Sequence, residues 1–180
     1  MTLDALDAEL DGLRAQAANI QRNVGHQRDA IQADPNLTEE GKKNAIVDVT
    51  AQAKTSATAL RERELALIKG QIRTLETKLD GKVGYGTSDL IAFRDAQDRA
   101  ERIDSKEAAD RLMGLALRNN DRTLAHALFR KSMENGWTSV AGQFAAENPD
   151  AATAAKEIEI LNHSLNEGGF QRALSYMVNF

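Results

Sequence analysis

Apolar residues recur at alternating spacings of three and four through the first 31 residues, and this pattern restricts the fold more than any other feature. The series is Leu3, Leu6, Leu10, Leu13, Ala17, Ile20, Val24, Gln27 and Ile31. Such a heptad pattern, with one polar position, is typical of a long helix that packs against another helix. Gly12 and Gly25 each cost about 1 kcal/mol relative to alanine, and the pattern outweighs them. A helix of this length is about 45 Å long.

A second apolar series predicts another long helix from about Thr38 to Leu79. Its members are Ile46, Val49, Ala53, Ala57, Leu60, Glu64, Ile68, Ile72, Leu75 and Leu79. The residues Asp34-Pro35-Asn36 separate the two series and favour a turn, and Thr38 can cap the second helix. Because so short a connection makes neighbouring helices antiparallel, the sequence predicts an antiparallel coiled-coil hairpin over residues 1–80.

The tip of this hairpin is a candidate contact for a partner, with a solvated turn as the alternative. The segment is exposed and charged in the predicted hairpin, and it carries both prolyl and basic side chains. Its candidate residues are Pro35, Leu37, Thr38, Lys42 and Lys43.

A glycine-rich stretch, residues 81–88, predicts a hinge at Gly81, Gly84 and Gly86. All eight aromatic residues lie at or after Tyr85. Large rings fill a three-dimensional core, whereas a coiled-coil seam uses smaller aliphatic side chains. We therefore expect an extended hairpin followed by a small multi-helix bundle over residues 89–180.

Several shorter helices are predicted within this second part. Ser105 and Asp121 are suitable caps for two of them, and Gly136 is a suitable stop. A final helix is expected from Phe170 to the end of the chain, after the glycine pair at 168–169. Since no stretch alternates polar and apolar residues over a useful length, the predicted fold class is all-α.

No catalytic, cofactor-binding or metal-binding residues can be assigned from the sequence. The chain has no cysteine, and its three histidines are far apart without carboxylates at metal-ligand spacing. Gly81-Lys82 is followed by Val83, where a phosphate-binding loop needs Ser or Thr. A formal net charge of −4 gives no general reason to bind nucleic acid or a membrane, and no apolar run approaches about 18 residues. We expect a protein of the cytoplasm or of a virion.

Protein–protein contacts are the remaining class of site, and the sequence favours a homo-oligomer. Two thin helices bury little surface alone, so the apolar seams and the apolar C-terminus are candidates for an interface. The C-terminus could pack within its own chain or insert into a partner, and both alternatives stay open. The candidate interface residues are Leu3, Leu6, Leu10, Leu13, Ile68, Ile72, Leu75, Leu79, Tyr176, Met177 and Phe180.

A long helix, the segment "ADPNLTEEGKKNAI" and a second alanine-rich helix together resemble small helical proteins of the virion-assembly modules of tailed phages, notably those of actinobacteria. The resemblance covers roughly residues 30–80. It implies a scaffolding, capsid-associated or connector-associated role without catalysis. Scaffolding proteins typically end in a basic coat-binding segment, whereas Arg172 is the only basic side chain here after Lys156. The resemblance therefore favours a minor capsid or accessory role.

Two classes of function remain as hypotheses. The first is a non-enzymatic structural or assembly protein that acts through helix contacts with other subunits, such as a phage capsid-associated protein. The second is a bacterial helical adaptor that binds a peptide or protein. For an enzyme, no nucleophile or general base can be named.

Overall fold

The computed structural model describes residues 2–80 and 87–178, and these residues form helices and turns without any strand. The all-α expectation is confirmed. The helices are α1 (Leu3–Ala33), α2 (Glu39–Asp80), α3 (Thr87–Glu101), α4 (Lys106–Arg118), α5 (Arg122–Asn135), α6 (Thr138–Glu147), α7 (Pro149–Glu167) and α8 (Gly169–Ser175).

Helices α1 and α2 pack against each other in an antiparallel arrangement, as the hairpin prediction requires. Glu9, near the start of α1, pairs with Arg63, just past the middle of α2, at 3.3 Å. Val24, near the other end of α1, lies in one apolar cluster with Ala53 and Ala57. The apolar face predicted from the spacing is therefore a packing surface between the two helices.

The turn between these helices uses the residues that the sequence indicated. The Asp34 carboxylate accepts a hydrogen bond from the backbone N–H of Asn36 at 2.8 Å, which closes a local turn after α1. The Thr38 hydroxyl accepts from the N–H of Gly41 at 3.1 Å and caps α2. Pro35 lies between them and is exposed.

The described residues divide into two compact units. The first, called here the hairpin unit, comprises residues 2–72 and 161–178; the second, the bundle unit, comprises the described residues from 73 to 160. Residues 161–178, which the sequence analysis assigned to the bundle, thus pack with the hairpin. The predicted boundary at 81–88 stays a prediction, and Gly81, Gly84 and Gly86 lie outside the described residues.

In the bundle unit, α5 is the central helix and packs against α3, α4 and α6. Its buried residues cover most of its circumference, as expected for a helix surrounded by others. Phe129 and Phe144 stack with ring centroids 4.6 Å apart and form the aromatic centre of this core. Asp110 on α4 accepts hydrogen bonds from Ser139 and Gln143 on α6 at 3.2 and 2.9 Å, so α4 and α6 are also joined at the surface.

The predicted helix boundaries in the bundle unit are confirmed where a cap was named. The side chains of Ser105 and Asp121 accept from the N–H groups of Ala108 and Leu124, at 3.3 and 3.1 Å. Gly136 adopts a left-handed conformation with φ of 68° directly after α5.

The two glycines Gly136 and Gly142 give a matched test of this fold. Alanine at Gly136 must adopt a positive φ, so we expect Gly136→Ala to lower the free energy of unfolding by about 1 kcal/mol. Gly142 lies inside α6, and nothing lies within 4 Å of an added Cβ. Gly142→Ala should therefore raise the same free energy by up to about 1 kcal/mol. Urea denaturation of both variants measures the difference, and shifts in the same direction would contradict these helix boundaries.

Candidate protein-contact site on the C-terminal helix

Helix α8 begins at a close approach between backbone segments that only glycine permits. A Cβ on Gly168 would lie 2.5 Å from the carbonyl oxygen of Ser164 on α7. The N–H of Gly168 donates to this same oxygen at 3.1 Å, and its own carbonyl accepts from the N–H of Arg172 at 2.9 Å. The glycine pair noted in the sequence thus ends α7 and starts α8 within one residue.

A buried carboxylate then fixes α8 to the hairpin. The side chain of Glu64, on α2, has 0% of its surface exposed. Its oxygen Oε1 accepts from Nε of Arg172 at 2.9 Å and from Nη2 of Arg14 at 3.0 Å. Its Oε2 accepts from the Tyr176 hydroxyl at 2.6 Å and from Nε of Arg14 at 3.3 Å. These four residues, called here the carboxylate cluster, join α1, α2 and the C-terminal segment.

The environment of the carboxylate cluster shifts the pKa values of Glu64 and Tyr176 in opposite directions. Burial by itself would raise the pKa of Glu64, but the hydrogen bonds from Arg14, Tyr176 and Arg172 hold the pKa below its usual range. Burial, together with the hydrogen bond to Glu64, raises the pKa of the Tyr176 phenol well above its ordinary value. Glu64 is therefore ionised and Tyr176 neutral near pH 7, which is the pair of states that the short hydrogen bond between them requires.

A side chain of α1 holds the backbone at the end of α8 and just beyond it. The Gln21 side-chain amide donates to the carbonyl oxygens of Ser175 and Met177, at 3.3 and 2.9 Å. These carbonyls are thus satisfied by a side chain, and α8 ends at Ser175, short of the helix predicted to the chain end. Val178 packs into the cluster formed by Val24 and the α2 alanines. Tyr176 and Val178 therefore pack within their own chain, which is one of the two alternatives that the sequence left open.

Apolar side chains on the same segment remain exposed. Phe170 and Leu174 are 75% and 46% exposed, and Met177 is also exposed. Arg172 and Tyr176, which lie between them in sequence, are buried. The segment thus has an inner side that is fixed to the hairpin and an outer side that is apolar. We call Phe170, Leu174 and Met177 the outer patch.

Most of the predicted interface residues are buried within the chain itself. Leu3 is half-buried, Met177 is exposed, and Phe180 lies outside the described residues. The others are all buried, in the hairpin unit or in the bundle unit. They are Leu6, Leu10, Leu13, Ile68, Ile72, Leu75, Leu79 and Tyr176. Their apolar surface is therefore removed from water within the chain itself.

The hairpin-tip candidates lie at the surface, as expected for a turn. Pro35, Leu37, Thr38 and Lys43 are exposed, and Lys42 is half-buried and pairs with Glu39 at 3.1 Å. Leu37 is the one large apolar side chain among them. The tip therefore presents mainly polar groups, and its role as a partner contact stays a prediction.

Sequence reasoning did not identify the carboxylate cluster, although two signals pointed to it. Glu64 occupies a position in an otherwise apolar series, where a charge is costly unless it is paired. Arg172 is the last basic residue of the chain and lies on a predicted helix among apolar residues. Nothing in the local pattern connects them, because they are 108 residues apart in sequence.

A separate candidate site, which is concave, lies in the bundle unit. It is a cavity of about 410 Å³ whose walls include Leu79, Ala116, Phe144 and Ala151. His126 also lines it, is buried, and contacts Phe144 with an edge-on ring arrangement at 6.2 Å. The volume is in the range of small-ligand sites, which are typically apolar with a few polar groups.

Comparison with protein-family models, curated proteins and solved structures finds no match. Within residues 2–80 and 87–178, no three His, Asp or Glu side chains are grouped so that they could hold a metal ion. None of the helices in these ranges combines the length and apolar character needed to cross a membrane.

Removal of a single member of the carboxylate cluster should lower the free energy of unfolding more than removal of two oppositely charged members together. We expect Glu64→Leu to lower the free energy of unfolding by about 3–5 kcal/mol, since the buried Arg172 then loses its counter-charge. The double variant Glu64→Leu with Arg172→Met should be more stable than Glu64→Leu alone. Chemical denaturation of these variants tests the coupling.

The exposed ion pair of Arg63 and Glu9 is the matched control for this prediction. Arg63→Ala should cost less than about 1 kcal/mol, because water solvates both groups. If the effects of the changes at Glu64 and Arg172 on the free energy of unfolding were additive, the two residues would not be energetically coupled.

The carboxylate cluster should also limit stability at both ends of the pH scale. Because the folded pKa of Glu64 is lowered from 4.5, its contribution is complete above that value and is lost as the pH falls through the folded pKa. Because the folded pKa of Tyr176 is raised from 10.0, its contribution is complete below that value and is lost as the pH rises through the folded pKa.

The variant Tyr176→Phe isolates the alkaline effect. Unfolding free energies of this variant and of the original protein should differ by a constant amount from about pH 7 to about pH 9. Above pH 10 the difference should shrink, since ionisation of the phenol favours the unfolded chain. A difference that stays constant through that range would show that Tyr176 does not ionise differently in the two states.

Proposed function

We propose that this protein is a non-enzymatic structural or assembly protein that acts through helix-mediated contacts with other protein subunits, including copies of itself. The observation that carries the proposal is the outer patch. Phe170 is the most exposed large apolar residue described, and Leu174 lies one helical turn further along α8. Exposed aromatic and large aliphatic side chains that lie together are typical of protein–protein contacts.

The way α8 is held supports the same proposal. Its inner side is fixed by ionic hydrogen bonds to a fully buried carboxylate, and its end is fixed by Gln21. A patch on a segment fixed at several points loses little conformational entropy when a partner binds. The outer patch is therefore suited to be a preformed contact rather than one that must be ordered on binding.

A phage particle is the setting that we propose for these contacts. The support is the resemblance of residues 30–80 to small helical virion-assembly proteins of tailed phages. The protein would then be a capsid-associated or accessory component, located in the host cytoplasm or in the virion. Terminase, portal or major capsid genes next to the coding gene would support this setting, and their absence would count against it.

A helical adaptor is the second candidate function, and the cavity of the bundle unit is the observation that favours it. Its walls combine apolar side chains with charged ones such as Asp121 and Arg122, and with the buried His126, and they could accept a side chain of a bound peptide. An adaptor of this kind can work as a monomer. A molecular mass that stays at 19.7 kDa at every concentration would favour the adaptor over the assembly protein.

Light scattering on three variants tests the assembly function. The original protein should form an ordered oligomer, and both Phe170→Glu and Leu174→Glu should shift it toward the monomer, since a buried unpaired carboxylate opposes association. Leu115→Glu is the matched control. Leu115 is 45% exposed, close to the 46% of Leu174, and lies on α4 in the bundle unit.

Circular dichroism should show that all three variants keep their helices, because each changed residue is exposed. Equal masses for the original protein, Phe170→Glu and Leu174→Glu would contradict the outer patch as the contact. Loss of the oligomer in Leu115→Glu alone would place the contact on α4 instead.

A further inference from the structure

A polar cavity lies beside the carboxylate cluster in the hairpin unit. Its volume is about 440 Å³, and two guanidinium groups, those of Arg14 and Arg172, form part of its wall. Ser164, Gln171 and Ser175 also line it, so that hydroxyl and amide groups accompany the cations. No lining residue described here carries a carboxylate side chain. The wall therefore offers hydrogen-bond donors and positive charge to whatever occupies the cavity.

The charges around the cavity do not balance. Arg14 and Arg172 together carry two positive charges, and Glu64 supplies the one buried negative charge between them. Asp11 lies 3.4 Å from Arg14 and is largely exposed, while Arg14 is itself 41% exposed, so water screens the charges of both. Two cations thus share one buried anion, and the remaining positive charge favours an anion in the partly enclosed space.

Hydrogen-bond donors also remain available. Nε of Arg172 donates to Glu64, and its Nη2 donates to the carbonyl oxygen of Ser164 at 2.9 Å. Its Nη1 has no hydrogen-bond partner among residues 2–80 and 87–178, although only 4% of the side chain is exposed. A guanidinium carries five N–H groups in a fixed planar fork. A nearly buried guanidinium with a spare nitrogen beside a cavity is suited to bind an oxygen pair of an anion.

From these three observations we propose that the cavity binds an oxyanion, a phosphate or carboxylate group, between Arg14 and Arg172. The Ser164 hydroxyl and the Gln171 amide can supply further donors around the same group, whereas the Ser175 hydroxyl already donates to the carbonyl oxygen of Gln171 at 3.0 Å. Leu174 also lines the cavity, so the anionic group can belong to a molecule that also has an apolar part. Leu174 belongs both to this cavity and to the outer patch, but the polar groups that would bind the anion do not, and the site does not depend on the proposed assembly function.

Titration with inorganic phosphate, followed by NMR, tests this proposal on the full-length protein. The side-chain N–H signals of Arg14 and Arg172 should shift and saturate as phosphate is added at constant pH and ionic strength. Sodium chloride at equal ionic strength is the control for general salt effects. Sodium acetate in a parallel titration distinguishes a site for carboxylates from one that requires phosphate.

The variants Leu174→Glu and Phe170→Glu make the test specific for the cavity. Both add one negative charge to an exposed position of α8, but only Leu174 lines the cavity. Leu174→Glu should weaken phosphate binding by at least about tenfold through charge repulsion. Phe170→Glu should bind phosphate as the original protein does, because Phe170 does not line the cavity.

Two outcomes would overturn the proposal. One is an absence of any shift beyond that caused by sodium chloride, with both phosphate and acetate. The other is equal phosphate affinity in the original protein and both variants, which would place the ion elsewhere on the surface. The assembly function fails by a different result, an unchanged oligomer mass in both variants, so the two failures can be told apart.

Discussion

The ionised carboxylate of Glu64, buried in the middle of the hairpin, is the constraint on which the arrangement of the C-terminal segment depends. Removal of this charge from water costs several kcal/mol, which its partners must offset. The partners come from three separated parts of the chain: Arg14 from α1, and Arg172 and Tyr176 from the C-terminal segment. Any shift of the segment would leave the Glu64 charge without these donors. The hydrogen bonds therefore favour one placement of α8 over neighbouring placements.

Such a cluster contributes more to geometry than to stability. Apolar residues of similar volume could fill the same space at equal or lower free energy, as replacement of buried ion pairs in other proteins shows. With such apolar residues, however, α8 could shift along the hairpin, because contacts between aliphatic side chains depend little on orientation. Gly168 and Gln21 add two further directional constraints at the start and the end of the segment. Together these contacts determine which side of the segment faces water, and therefore where Phe170 and Leu174 lie.

The features that could be predicted from the sequence are those determined by nearby residues. Heptad spacing located α1 and α2, and Asp34, Thr38, Ser105 and Gly136 marked helix ends through interactions with residues at most four positions away. The pairing of Glu64 with Arg172 joins residues that are 108 positions apart. No local preference encodes it, so the assignment of residues 161–178 to the hairpin unit and the early end of α8 followed only from the structure.

The same reasoning explains why the predicted interface residues are mostly buried in the chain. Periodicity identifies residues that share one helix face, and in a chain that supplies its own partner helices this face becomes the core. Leu6, Leu10 and Ile68 therefore contribute to folding and are not available to a partner. An interface on such a protein must use apolar residues outside the periodic seam. Phe170 and Leu174 satisfy this condition, because α8 is fixed through its polar residues and its apolar residues are left on the other side.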